Sequence, residues 1–333
     1  MVAPLESPGR ATTPVETRAQ AGFDWAVSPR IEEPVEGLTP RDWRVASFSL
    51  PFLLDVVANG VGRLKSLDAL LVLAINQANI APLTRDSAAR IRYGQLDAPA
   101  PDEERRPISV SSIADSLGIP FETARRRVRR LEADGACATW PDGVVVPATF
   151  LASPAYVQSV VVGHERLRAF YVEIGAAGLI EPLPPPTTFS PAEDVPIRAA
   201  ARLLADYVLR ASDGLMRQAG DVISALVLLA LLGAVVGAER RVEAVAPVRV
   251  IAERLQLPLE TVRRHADRLV GQGLCQRVAG GLAMTEDNLS CEGLRLWFAE
   301  NAANVQRLMA GLAERGVVLG WEEAQVAEGR RCV

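Results

Sequence analysis

The densest chemistry-bearing pattern is the run from Phe121 to Arg130, where Arg125, Arg126, Arg127, Arg129 and Arg130 make five arginines in ten residues. Guanidinium groups fork onto carboxylates, phosphates and guanine edges, so the pattern points to holding a polyanion rather than to breaking bonds. A solvated helix gains support from opposite charges at i, i+4, whereas these arginines repel one another and are more stable against a polyanion. The competing reading is a charged solvent face, because Glu122, Glu132 and Asp134 flank the run. A sparser set, Arg263, Arg264, His265 and Arg268, lies 138 positions further on.

Other chemistry is thin. There is no phosphate-cradling glycine loop, no recognisable pair of carboxylates and no serine or cysteine in a nucleophile motif, so no enzymatic activity and no cofactor are expected. His164 has no acid, cysteine or second histidine at ligand spacing and reads as a surface helix position, not a metal ligand. Cys137, Cys275, Cys291 and Cys332 form no C-x-x-C pair and read as free thiols, the first two as small core residues.

Composition narrows the partners. The 333 residues predict about two domains, and a net charge of -4 with a pI near 5.5 makes any nucleic-acid contact local. Lys65 is the only lysine, which fits a GC-rich genome as well as phosphate recognition. Acids and prolines near the N-terminus argue against a signal peptide, and a cytoplasmic, nucleoid-associated protein is expected. Val222 to Ala238 is uncharged and nearly long enough to span a bilayer. Its approximate counterpart from Ala69 carries Asn76, Gln77 and Asn79, which suit a buried helix better than a membrane span.

The elements that position the arginines come from a repeat. Shifting the chain by 138 places lays Ile113 to Cys137 on Ile251 to Cys275 without a gap, and the register continues through Gly143 on Gly281 and Gly178 on Gly316. Such register across turns predicts a duplicated domain. Within the first copy, Ser109 is a candidate N-cap for a short helix, Gly118 and Pro120 make a turn, and a second helix follows to a glycine stop. At helical spacing Phe121, Ala124, Val128 and Leu131 face inward and Glu122, Arg126, Arg129 and Ala133 outward, with Arg125 on one flank and Thr123, Arg127 and Arg130 on the other. Alternating apolar residues around Pro141, Asp142 and Gly143, and around Gly280 and Gly281 in the second copy, predict hairpins. Neither hairpin is strongly basic.

Helix, turn, helix and hairpin make a winged helix, and the fold expected is mainly α with small β-hairpin wings, as two tandem winged helix-turn-helix domains with flanking long helices. The boundaries read as a disordered Pro-rich tail over 1–44, the first domain over 45–180, a Pro-rich linker over 181–196, the second domain over 197–320 and a C-terminal tail over 321–333. "IADSLGIPFETARRRVRRLEADG" and "GLCQRVAGGLAM" resemble the DeoR-like and GntR-like recognition region of bacterial transcriptional regulators. That resemblance implies duplex-DNA contact at Thr123, Arg125 and Arg126 and at Thr261, Arg263 and Arg264. Such regulators usually join one winged helix to an effector domain; here a second winged helix takes that length, and no effector site is evident.

The halves are unequal. Asp267 stands where the first copy has Arg129, so the first half is expected to dominate and the second to read weakly or contact protein. His265 replaces Arg127 and reads either as a phosphate or pH-sensitive contact or as a packed flank residue. Trp140 fits stacking on a nucleotide and core packing equally. The long helices fit intramolecular packing and a homodimer contact alike. The leading expectation is a sequence-specific DNA-binding regulator, with a plasmid-type replication initiator and a protein-interaction scaffold as alternatives.

Overall fold

The computed structural model describes residues 37–187, 195–237 and 245–331, and over these the chain is mainly helical, with two small antiparallel hairpins. Helix α1 (Pro40–Asn59) begins where the Thr39 hydroxyl accepts from the Asp42 N–H at 3.1 Å, with proline at its first turn. Helix α2 (Ser66–Arg85) and the short α3 (Ser87–Arg92) follow. A single 3-10 turn, Asp102–Glu104, leads to α4 (Val110–Ser116) and α5 (Phe121–Ala133). Strands β1 (Ala138–Trp140) and β2 (Gly143–Val145) pair antiparallel, then come α6 (Ala148–Leu151) and α7 (Pro154–Ala176). The second half runs α8 (Ile197–Ala219), α9 (Val222–Gly237), α10 (Val248–Leu255), α11 (Leu259–Gly271), the pair β3 (Gln276–Val278) and β4 (Gly281–Ala283), α12 (Glu286–Leu289), α13 (Glu292–Glu314) and α14 (Val317–Arg331).

Two expected boundaries move. The tail over 1–44 overruns α1, whose Trp43 is buried; the rest of that tail, up to residue 36, lies outside the described residues. The C-terminal tail over 321–333 is mostly helix, because Trp321 has a buried site to fill. Linker positions 188–194 and Cys332 lie outside the described residues.

Local signals account for the helix pairs. The Ser109 hydroxyl accepts from the Ser112 N–H at 3.1 Å, and Gly118 takes a φ of +58° between α4 and α5. Gly143 closes the first hairpin opposite Trp140; a Cβ there would stand 2.6 Å from the Ile108 carbonyl oxygen, so only glycine lets the strand approach. That approach is an extra antiparallel bridge, Ile108 to Val144, and Ala246 to Leu282 repeats it. From α5 to α7 every element bound recurs 138 positions on, from α11 to α13.

The halves share one core. Helix α9 is apolar all round and so needs cover on every side; α8, α10 and α11 supply part of it, and α1, from the other half, supplies more. Helix α1 also packs on α13 and α7, and α2 packs on α8, so the long helices bury their apolar faces within the chain. Contacts gather the described residues into one unit. Among the described residues α2 is the one helix that length and composition would let cross a membrane, and its three amides are engaged in protein contacts. Gln77 donates to the Arg202 carbonyl at 2.8 Å, and Asn76 accepts from Arg105 at 3.1 Å.

Asn79, fully buried on α2, fixes the first hairpin. Its amide donates to the carbonyls of Arg106 and Val144 at 2.8 and 3.1 Å and accepts from the Val146 N–H at 2.9 Å. Removing it leaves buried backbone groups unpaired, each costing about 1–3 kcal/mol. Asn79→Leu is therefore expected to lose about 3 kcal/mol in urea unfolding, and wild-type stability would show that the clamp is dispensable.

Candidate nucleic-acid interface

Helices α5 and α11 carry the arginine sets, each as the second helix after a tight turn. On α5, Ala124, Val128 and Leu131 are buried as their spacing requires. Phe121 is not: it is 52% exposed at the entrance to the helix, because the inward row begins only at Ala124. Thr123 and its counterpart Thr261 are half-buried in the first turns of the two helices.

The five arginines of α5 divide by partner. Arg125 forks onto Glu122, with Nε 2.8 Å from Oε2 and Nη2 2.6 Å from Oε1, and this donation holds the Glu122 carboxyl below its ordinary range. Arg127 turns away from solvent and reaches Asp68 on α2 at 2.6 Å, a carboxylate only 9% exposed. It therefore braces α5 against the core and is withdrawn from the expected DNA-binding set. Arg130 stands 4.0 Å from Asp134 and remains 65% exposed. Arg126 and Arg129 are exposed, one turn apart, and make no ion pair or hydrogen bond among the described residues.

On α11 more of the set is committed. Arg263 pairs with Glu260, as Arg125 does with Glu122. Arg264 is exposed and makes no ion pair or hydrogen bond among the described residues. His265 is buried, its Nδ1 2.8 Å from the Ser224 hydroxyl and 3.3 Å from Asp221 Oδ1. Arg268 reaches Asp221 Oδ2 at 3.1 Å. His265 is therefore an internal contact and leaves the expected reading set, whereas Arg268 reaches the corner through one nitrogen and keeps a side chain 55% exposed. Asp267 is paired with Arg277 of β3, which ties that hairpin to α11.

Asp221 collects these contacts at the corner between α8 and α9. Burial alone would raise its carboxyl, yet donation by His265 and by the Ser224 N–H and hydroxyl holds it well below the usual carboxylate range. The adjoining Val222 N–H donates to the Leu117 carbonyl at 3.2 Å, where α4 ends. The corner thus touches both helix pairs, α4–α5 and α10–α11. In the opposite sense, the Gln256 amide, from the turn before α11, donates to the Ala58 carbonyl at the end of α1, at 3.3 Å.

His164 is also corrected. It is buried rather than on the surface, and its Nε2 accepts from the Trp321 indole N–H at 2.9 Å, so the ring is neutral there; burial pushes its pKa down. Cys137 and Cys275 are buried, and burial pushes their thiols up to about 12 and about 11, which leaves them protonated and unreactive near neutrality. Among the described residues no group of three or more histidine, cysteine or acidic side chains could hold a metal ion. Trp140 is half-buried at the end of β1.

Comparison with family models, curated proteins and solved structures found no match. The functional reading therefore rests on the geometry of the site. What that geometry can do is present cationic, fork-shaped donors to an extended anion.

Asp221 gives a pH signature. A carboxyl with a depressed folded pKa contributes stability above its unfolded value, near 3.9, and loses it as pH falls toward the folded value. Asp221→Ala is expected to cost about 2 kcal/mol at neutral pH, since it strands His265, Ser224 and Arg268. The gap to wild type should narrow as pH falls below about 4. Urea unfolding across that range checks both, and a gap independent of pH would refute the assignment.

Proposed function

We propose that the chain is a sequence-specific duplex-DNA-binding transcriptional regulator, with two winged helix-turn-helix modules derived by tandem duplication and α5 as the principal reader. The carrying observation is the exposed pair Arg126 and Arg129, one turn apart and without a direct ion pair or hydrogen bond among the described residues, beside an Arg127 committed to Asp68. Guanidinium groups so placed on the second helix of such a unit suit phosphate oxygens and the O6 and N7 edge of guanine. Recurrence of element bounds 138 positions apart, with the extra bridges Ile108 to Val144 and Ala246 to Leu282, supports the duplication and a three-stranded wing in each module. The second module has fewer free cations, with Arg264 alone unpaired on α11 among the described residues, which supports its weaker role. The exposed Phe121 beside the cationic face favours a second reading, docking of an acidic protein segment.

Salt dependence separates the readings. Removing one phosphate contact reduces the slope of log affinity against log salt by about 1. With a labelled duplex selected from a random pool, Arg126→Ala with Arg129→Ala is expected to lower the slope by about 2 and weaken binding. Arg127→Ala should leave the slope intact and lower the melting temperature instead. No duplex binding at low salt, or an unchanged slope in the double variant, would overturn the DNA reading, and selective capture of an acidic peptide in its place would establish the second.

A further inference from the structure

The cleft enclosed by α1, α2, α7 and α8 plays no part in the reading faces. It holds about 900 Å³ with its open mouth included, and its wall is largely apolar, with Val56, Leu73, Ile80, Val160, Leu204 and Val208 contributing. Its charged groups are all of one sign: Arg105, Arg166, Arg198 and Arg202 line it, and no aspartate or glutamate does. Three of these have partners, Arg105 among them with the Asp102 carboxylate 3.5 Å from its Nε. Arg166 pairs with Asp55 at 2.9 Å; Arg105 donates to the Ala100 carbonyl and to Asn76; Arg198 donates to the carbonyls of Gln95, Leu96 and Leu151.

Arg202 has none. Its guanidinium is partly buried and meets no carboxylate and no acceptor among the described residues. Burial, then the neighbouring charge of Arg198, pulls its pKa down to about 10, which leaves it cationic near neutrality. The Tyr156 side chain is buried within the fields of Arg198, Arg202 and Arg105, and its hydroxyl also lacks a hydrogen-bond partner among the described residues. Neither group is among the buried orphaned atoms, so both face the open cleft, where a ligand acceptor can take the place of water against a guanidinium and a hydroxyl set on an apolar wall. Both are satisfied by one ligand group.

We propose that this cleft binds a small organic acid, its carboxylate held by Arg202 and the Tyr156 hydroxyl and its apolar body lying against Val160, Leu204 and Val208. One unpartnered guanidinium suits a single negative charge, and a carboxylate matches its fork with two acceptor oxygens. The apolar wall calls for a hydrocarbon body, which inorganic phosphate lacks.

Calorimetric titration of the full chain without DNA tests this separately from the reading faces. The probes are octanoate, acetate, 1-octanol and inorganic phosphate. Octanoate should saturate one site and bind at least about tenfold tighter than the other three, the worth of one charge-assisted hydrogen bond or a few buried methylenes. Arg202→Met should weaken octanoate by about tenfold while melting no lower than wild type, because it removes an unpaired charge. Tyr156→Phe, close in shape, should weaken it by about fivefold and decides the matter if Arg202→Met does not fold. Absence of saturable octanoate binding, equal binding of 1-octanol, preference for phosphate, or unchanged affinity in the variants that fold would each overturn the proposal.

Discussion

The carboxylate of Asp221 sits where α8 turns into α9 and accepts from Ser224, His265 and Arg268, while the next residue's N–H is taken by the carbonyl that ends α4. Two helix pairs from different halves, α4–α5 and α10–α11, thus hold one corner of the core, and Gln256 makes the reverse contact onto the end of α1. A partly buried carboxylate with several donors is a strong anchor, since low local polarity strengthens each bond and makes any unpaired member costly. The all-round apolar α9 that starts at this corner adds a second constraint, because it can be covered only if α1 crosses from the other half. Together these make two similar units into one body that carries the two arginine-bearing helices α5 and α11.

Within that body the arginines do different work. Repulsion along α5 is relieved in three places, by Glu122 on the same helix, by Asp68 on α2 and more distantly by Asp134. The Asp68 contact is the structural one, since it joins elements far apart in sequence and is largely sheltered from water. The Glu122 contact lies on a solvent face, where ion pairs add little and exchange readily for a phosphate. Arg125 therefore remains usable by a polyanion in a way that Arg127 does not. On α11, Arg263 is likewise paired on its own helix, while Arg268 reaches the corner and stays exposed.

Much of the local architecture is legible in the sequence, for reasons confined to short stretches. Ser109 caps, Gly118 and Gly143 supply backbone conformations other residues resist, and the inward row of α5 follows from helical spacing. Periodicity names a face, not a partner. Arg127 and His265 occupy matching flank positions, and nothing near them in the chain reveals that Asp68 and Ser224 wait on neighbouring helices. His164 reads as exposed from its own neighbours because its cover, Trp321, lies 157 residues away, in a segment with the composition of a tail. Arg202 carries no sequence signal at all: an arginine in a helix is unexceptional until the cleft it lines proves to hold three more arginines and no aspartate or glutamate on its wall.

Helix α2 brings the two surfaces into one mechanical frame. Near its start Asp68 braces α5; two turns on, Asn76 holds Arg105 and Gln77 holds the backbone of Arg202; one turn beyond, Asn79 holds the hairpin. The helix is a continuous rod through these positions, and Asn79 and Asp68 are both tied to the elements that follow α4. A ligand that drew Arg202 and Arg105 together would act on this rod directly, with no intervening loop to absorb the change. Interdigitated side chains resist gradual deformation, so a shift of α2 would move the α5 brace and the hairpin clamp together. The placement of one helix is then the physical means by which an occupied cleft would reach the arginine-bearing face of α5.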